Sequence, residues 1–138
     1  MDYNKSLETI EKALSELKEE NKIIPIIVEG EKDIQALKKL DIIGEIFSVN
    51  AGVSITDFCD DIARRYKEII ILTDWDRKGG HICHLIKRNL SGRVKCNTYY
   101  REIFAKNTMT KTVEGLPSWI NKIIDKKINS TGEIRARG

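Results

Sequence analysis

Apolar positions follow two alternating rhythms along this chain. Leu7, Ile10, Leu14 and Leu17 recur at helical spacing among charged neighbours, which predicts an amphipathic helix over residues 4–20. The run IIPIIVEG that follows is apolar and of strand length. Pro25 lacks a ladder N–H and suits a strand start or edge, and the strand should close at Val28 and Glu29. Asp33 to Leu40 returns to a helical pattern, Glu45 to Val49 reads as a short strand, and Asn50-Ala51-Gly52 as a turn. Ser54 to Tyr66 reads as a helix whose Ser54 and Asp57 are spaced like a capping box. Ile69 to Thr73 is the most hydrophobic strand. Gly79 and Gly80 then interrupt the pattern before a helix from His81 to Asn89, and Val94 to Tyr99 resumes as a strand. Pro117 is well placed as the first residue of a last helix, over 117–128, with Trp119, Ile120, Ile123 and Ile124 as its apolar face. The tail NSTGEIRARG, 129–138, looks frayed and basic.

Strands alternating with helices predict an α/β fold: a three-layer, Rossmann-like arrangement of four parallel strands with helices on both faces, joined by right-handed crossovers. Continuous apolar strands fit a sheet buried on both sides. The length of 138 residues suits one domain, with no internal repeat and no linker. The amphipathic ends could bury their apolar faces internally or against a second copy in a homodimer.

Composition narrows the class. Hydrophobic residues make up 41% and charged residues 33% of the chain, a globular balance rather than a disordered one. No stretch approaches the roughly 20 apolar residues of a membrane span, and MDYNKSLETIEK is too acidic for a signal peptide, so a soluble, cytoplasmic protein without a membrane partner is expected. Cys59, Cys83 and Cys96 form no CxxC pair and read as reduced core thiols. A net charge of +3 is too mild to choose a partner.

The chemistry concentrates at strand ends. Open parallel sheets bind ligands beyond the carboxyl ends of their strands, near the point where strand order reverses. The first strand ends in Glu29-Gly30, the second in Asn50-Ala51-Gly52, and the third in Asp74-Trp75-Asp76. Asp74 and Asp76, two apart on an extended chain, lie on one side about 6 to 7 Å apart. If the first and third strands are neighbours, Glu29, Asp74 and Asp76 converge, and nothing local pairs them all. A divalent cation resolves the repulsion. All-oxygen donors select a hard ion, Mg²⁺ with Mn²⁺ as substitute, and such an ion accepts phosphate oxygens. Gly79 and Gly80 would let backbone N–H groups approach that phosphate, although by themselves they read as a plain helix-initiating turn.

VEGEKDIQAL (Val28 to Leu37) followed by TDWDRKGG (Thr73 to Gly80) resembles the two signature motifs of the Toprim domain of primases, topoisomerases and several nucleases. The form is that of bacterial-type primases, E-G-x-x-D-x-x-x-L with D-x-D-R-x-G, and the likeness spans about residues 22–100. The resemblance implies a Mg²⁺-dependent site acting on phosphodiester bonds of DNA or RNA. It implies general acid or base work for Glu29, with Glu29, Asp74 and Asp76 around the metal. Gly30, Asp33, Arg77 and Gly79 take supporting positions, and Lys32, Lys78, Asn50 and Gly52 stand where phosphate or nucleic acid would be met. The further acidic cluster of the primase form is missing: Glu102, Glu114, Asp125 and Glu133 stand singly, which speaks against a second metal. The chain is too short for a complete primase or topoisomerase, and it resembles the small Toprim proteins of archaea. Hydrolysis is favoured over polymerisation. The rival is a non-catalytic metal-binding module that binds nucleic acid or acts as a scaffold.

Other features weigh less. Trp75 alternates away from its aspartate neighbours and should pack on a helix rather than stack on a base. The spacing of His81, Cys83 and His84 matches no standard zinc site. A basic rim of Lys32, Arg64, Arg65, Arg77, Lys78, Lys87, Arg88, Arg93 and Lys95 suits a phosphate backbone, but each reads first as solvated surface. Tyr99-Tyr100-Arg101 should end the fourth strand. A phospho-acceptor receiver would need an acidic pair at the first strand, and neither GxGxxG nor GxxxxGK[ST] occurs.

Overall fold

The computed structural model describes residues 1–50 and 52–131. Among these, helix α1 (Tyr3–Glu20) leads into a βα series: β1 (Ile26–Val28), α2 (Glu31–Lys39), β2 (Ile46–Ser48), α3 (Ile55–Arg65), β3 (Glu68–Ile71), α4 (Arg77–Leu90) and β4 (Lys95–Asn97). Helices α5 (Tyr99–Asn107) and α6 (Leu116–Thr131) follow. The four strands are all parallel in the order β2-β1-β3-β4. The predicted α/β three-layer architecture is therefore present, and β1 and β3 are neighbours.

Side-chain alternation along the strands divides the core into two layers. Ile26, Val28, Ile70 and Leu72 face α1, α2, α5 and α6, packing with Ile10, Leu14 and Leu17 of α1 and with Phe104 and Trp119. Ile27, Ile69 and Ile71 face α3 and α4, where they meet Cys59, Ile62, Cys83, Ile86 and Leu90. The apolar stripe of α1 is buried within the chain, against α5 and α6. Buried Asn21 fastens the end of α1 to the start of β2 by donating from Nδ2 to the carbonyls of Ile24 (3.0 Å) and Glu45 (3.1 Å).

Three expectations change. Helix α4 begins at Arg77 rather than His81, because Asp76 caps it by accepting from the Gly79 N–H at 2.7 Å; Gly79 and Gly80 lie inside its first turn. Tyr99-Tyr100-Arg101 does not end a strand but opens α5: Asn97 Oδ1 accepts from the Tyr99 N–H (2.8 Å) and turns the chain, and the Tyr100 hydroxyl bonds Glu20 of α1. The last helix runs on through 129–131, so the frayed tail is corrected there, while 132–138 lie outside the described residues, as does Ala51 of the predicted turn. Among the described residues no helix is long and apolar enough to cross a membrane.

Candidate metal centre

The pairing of β1 with β3 brings the ends of both strands side by side, and backbone bonds continue past their last residues, Leu72 N–H reaching the Ile27 carbonyl at 2.8 Å. There Glu29 Oε2 accepts from the Asp74 N–H at 2.8 Å. Asp74 Oδ1 in turn accepts from the Val113 N–H at 2.8 Å, a donor supplied by the loop between α5 and α6. With Asp76 Oδ1 on the Gly79 N–H, each of the three carboxylates commits one oxygen to a backbone donor. The other oxygen of each has no protein donor among the described residues. One carboxylate oxygen from Glu29, Asp74 and Asp76 lies within 4.8 Å of its counterparts in the other two.

Electrostatics at this spot are uncompensated. Every ion pair among the described residues lies elsewhere. Glu29 is 7% exposed, and Asp33, also buried, caps α2 by accepting from the Gly30 N–H at 3.1 Å. Burial pushes Asp74 up to about 7; the charges of Asp33, Glu29 and Asp76 add to this and the Val113 N–H opposes it. Burial also raises Asp33, with the Gly30 N–H opposing and Glu29 and Glu114 adding to it. Glu114 is thus near the centre, although nothing in its sequence neighbourhood points there.

Two routes relieve such crowding: a proton on Asp74, or a cation among the three. Oxygens on opposite sides of a Mg²⁺ stand about 4.2 Å apart at about 2.1 Å per bond. Oxygens within 4.8 Å of one another are near enough to that spacing for small side-chain rotations to seat an ion among them. The donor set, three hard oxygens with waters free to complete the shell, fits a hard divalent ion.

The remaining predicted residues surround this end of the sheet. Gly30 is the extended N-cap of α2, and a Cβ there would meet nothing within 4 Å. Lys32 is exposed in the first turn of α2; Asn50 is exposed and donates its N–H to the Glu29 carbonyl (3.1 Å); Gly52 has φ +85°, a conformation that favours glycine. Arg77 and Lys78 are exposed, and among the described residues their side chains make no hydrogen bond or ion pair. Gly79 is where the phosphate reading fails on geometry. Its N–H is taken by Asp76, its carbonyl accepts from the Thr73 hydroxyl (2.8 Å), and a Cβ would sit 1.9 Å from the Asp74 carbonyl oxygen. This glycine lets α4 lie directly on the end of β3. Trp75 packs, its Nε1 donating to the Thr110 carbonyl (2.7 Å) and its ring 5.8 Å from that of Phe104. His81 and His84 are not buried with Cys83, which faces the core, and these three do not form a metal group.

Sequence reasoning misses two contributors, the 108–115 loop, which bonds Asp74 and Trp75, and Arg101. The strand pattern places Arg101 at a strand end. The spacing of Tyr100, Ile103 and Phe104 is the available signal that it belongs to a helix. The loop has no such signal.

The motifs, strand ends and acidic trio agree with a comparison of the sequence itself, in which the Toprim domain family matches residues 24–106. The chain belongs to the Toprim family. Its relatives include a UPF0292 protein of Thermoplasma volcanium, 41% identical over 78% of this chain and 92% of the relative. Another is a UPF0292 protein of Methanocaldococcus jannaschii, 40% identical over 87% and 93%. Both relatives are proteins of archaea, and this Toprim chain covers more than nine-tenths of each. A solved protein from Aquifex aeolicus superposes with a TM-score of 0.62 at 26% identity, covering 70% of this chain and 88% of its own. Toprim membership implies divalent-metal binding and a function connected with nucleic acid, and Glu29, Asp74 and Asp76 form a cluster that could hold such an ion.

Proposed function

We propose that this Toprim protein carries out Mg²⁺-dependent chemistry on phosphodiester bonds of nucleic acid, with hydrolysis favoured over nucleotide polymerisation. The observation that carries the reading is the convergence of Glu29, Asp74 and Asp76, each with one oxygen anchored on backbone and one left over. In this reading Asp74 and Asp76 hold the ion, with Glu29 beside them. The ion, when bound, polarises a phosphoryl oxygen and stabilises charge on the attacking or leaving oxygen. Glu29, 7% exposed and held by the Asp74 N–H, keeps its second oxygen to take or return a proton on a hydroxyl or water. The backbone bonds orient all three carboxylates before any ligand arrives, which reduces the ordering cost of binding.

One observation favours the rival reading, a non-catalytic module: the same carboxylates also brace β1, β3, α4 and the 108–115 loop, as a structural ion centre would. Incubation of the protein with labelled single- and double-stranded RNA and DNA in Mg²⁺ or Mn²⁺ decides between them. Metal-dependent cleavage that Glu29→Gln abolishes, with folding and Mn²⁺ affinity retained, supports the enzyme. Mn²⁺ binding and Mn²⁺-dependent stability with no cleavage or nucleotide transfer on any substrate supports the module and removes the enzyme.

A further inference from the structure

Arg101 lies in the first turn of α5, partly buried against the end of β3. Its Nε donates to the carbonyls of Thr73 (3.1 Å) and Asp74 (3.2 Å), and its Nη2 donates to the Asp74 carbonyl (2.8 Å). The α4 side is close as well, since a Cβ on Gly80 would stand 3.5 Å from Nη2. A guanidinium has five N–H donors. These contacts use the Nε proton and one Nη2 proton, so both Nη1 protons and the second Nη2 proton have no protein acceptor among the described residues. Nor does any carboxylate among the described residues pair with Arg101 within ion-pair distance. It is therefore a cation immobilised by neutral carbonyls, one of them that of Asp74 itself, with much of its fork unused.

From this geometry we infer that Arg101 is a phosphate-recognition residue of the centre, receiving the non-bridging oxygens of a nucleic-acid phosphate on its free N–H groups. The inference rests on the phosphodiester reading above and names the residue that takes the anion. Charge supports it. A divalent ion leaves three carboxylates one charge short of neutrality, which would still repel a polyanion, and a fixed guanidinium supplies that charge. Pre-organisation supports it too: ordering a free arginine on a phosphate costs side-chain entropy, whereas the three carbonyl bonds have already ordered this one. Arg77 and Lys78, on the exposed first turn of α4, have no such fixation and serve as screened surface charge. Sequence position points to them because they follow Asp76 directly; the contacts point to Arg101 instead.

Fluorescence anisotropy with short labelled single-stranded RNA and DNA, over a salt series with Ca²⁺ in place of Mg²⁺ to prevent turnover, tests this on wild type, Arg101→Gln, Arg101→Lys and the double variant Arg77→Ala/Lys78→Ala. Mn²⁺ titration and thermal melting are run on the same samples. Arg101→Gln is expected to weaken oligonucleotide binding by about tenfold or more, as for a lost charge-assisted bond. It should also lower the slope of log affinity against log salt by about 0.7, the value for one phosphate contact on a single strand. Arg101→Lys should restore the slope but not the full affinity, because it keeps the charge and loses the fork. Unchanged affinity and slope in Arg101→Gln would overturn the inference. So would a loss of affinity with the slope intact, which marks a purely structural role. If Arg101→Gln does not fold, Arg101→Lys carries the test, and wild-type affinity in that variant is the overturning result. Wild type that binds Mn²⁺ but no oligonucleotide also sinks this inference while leaving the metal centre standing; wild type that binds no Mn²⁺ sinks the metal reading instead.

Discussion

Replacing Asp74 by Asn should make the metal-free protein more stable at neutral and alkaline pH, against the usual direction of a substitution at a buried, hydrogen-bonded residue. The amide keeps the oxygen that accepts from Val113 and removes the charge that burial, Asp33, Glu29 and Asp76 oppose. The sign follows from linkage. Asp74 rises from 3.8 in the unfolded chain to about 7 in the fold, so between these values the folded state holds a proton that the unfolded state has released. Stability therefore falls as pH rises through that window and is lowest above about 7. At about 1.4 kcal/mol for each tenfold change in acidity the full effect has a ceiling of about 4 kcal/mol. Water reaches the half-buried carboxylate and screens part of this, leaving about 1 to 2 kcal/mol. For a chain of this length that is a rise in melting temperature of about 3 to 8 °C. The assay is thermal melting of wild type and Asp74→Asn with EDTA at pH 8 and pH 4, then with Mn²⁺ at pH 8. The variant should lead at pH 8 and lose its advantage at pH 4. Saturating Mn²⁺ should reverse the order, since an ion a hundredfold above its Kd adds about 2.7 kcal/mol to a site that binds only the folded state. A variant that melts at or below wild type in EDTA at pH 8, or that gains as much from Mn²⁺, would refute the reasoning that crowded carboxylates define this centre.

Two further outcomes concern packing and burial rather than metal binding. Gly79→Ala places a methyl 1.9 Å from the Asp74 carbonyl oxygen, against main-chain atoms rather than a flexible side chain that could yield, so urea unfolding should show a loss of at least about 2 kcal/mol; a near-neutral result would mean that α4 does not rest on the end of β3. Burial pushes the Cys59 thiol up to about 11 and raises Cys83, so a thiol reagent at pH 8 should leave both unreacted in the folded chain and modify all three cysteines after denaturation; rapid native modification of Cys59 would contradict its place on the buried face of α3.

What the linear sequence determined is whatever depends on a short window. Strand and helix rhythm, the strand ends and the two acidic motifs are local patterns, and parallel connection by right-handed crossovers then leaves few topologies, so pattern alone brings Glu29, Asp74 and Asp76 to one edge once the first and third strands are neighbours. Ser54 as the cap of α3 is visible for the same reason: its hydroxyl accepts from Asp57 N–H, three residues on. Tertiary structure decided everything that depends on partners distant along the chain. Val113 bonds Asp74, Glu114 bears on Asp33, and Arg101 grips the carbonyls of Thr73 and Asp74, across separations no periodicity encodes. Gly79 shows the boundary within one residue. Its type suggests backbone exposed to a ligand, whereas its cause is a helix lying on a strand end, and a steric requirement of that kind exists only once both elements are in place.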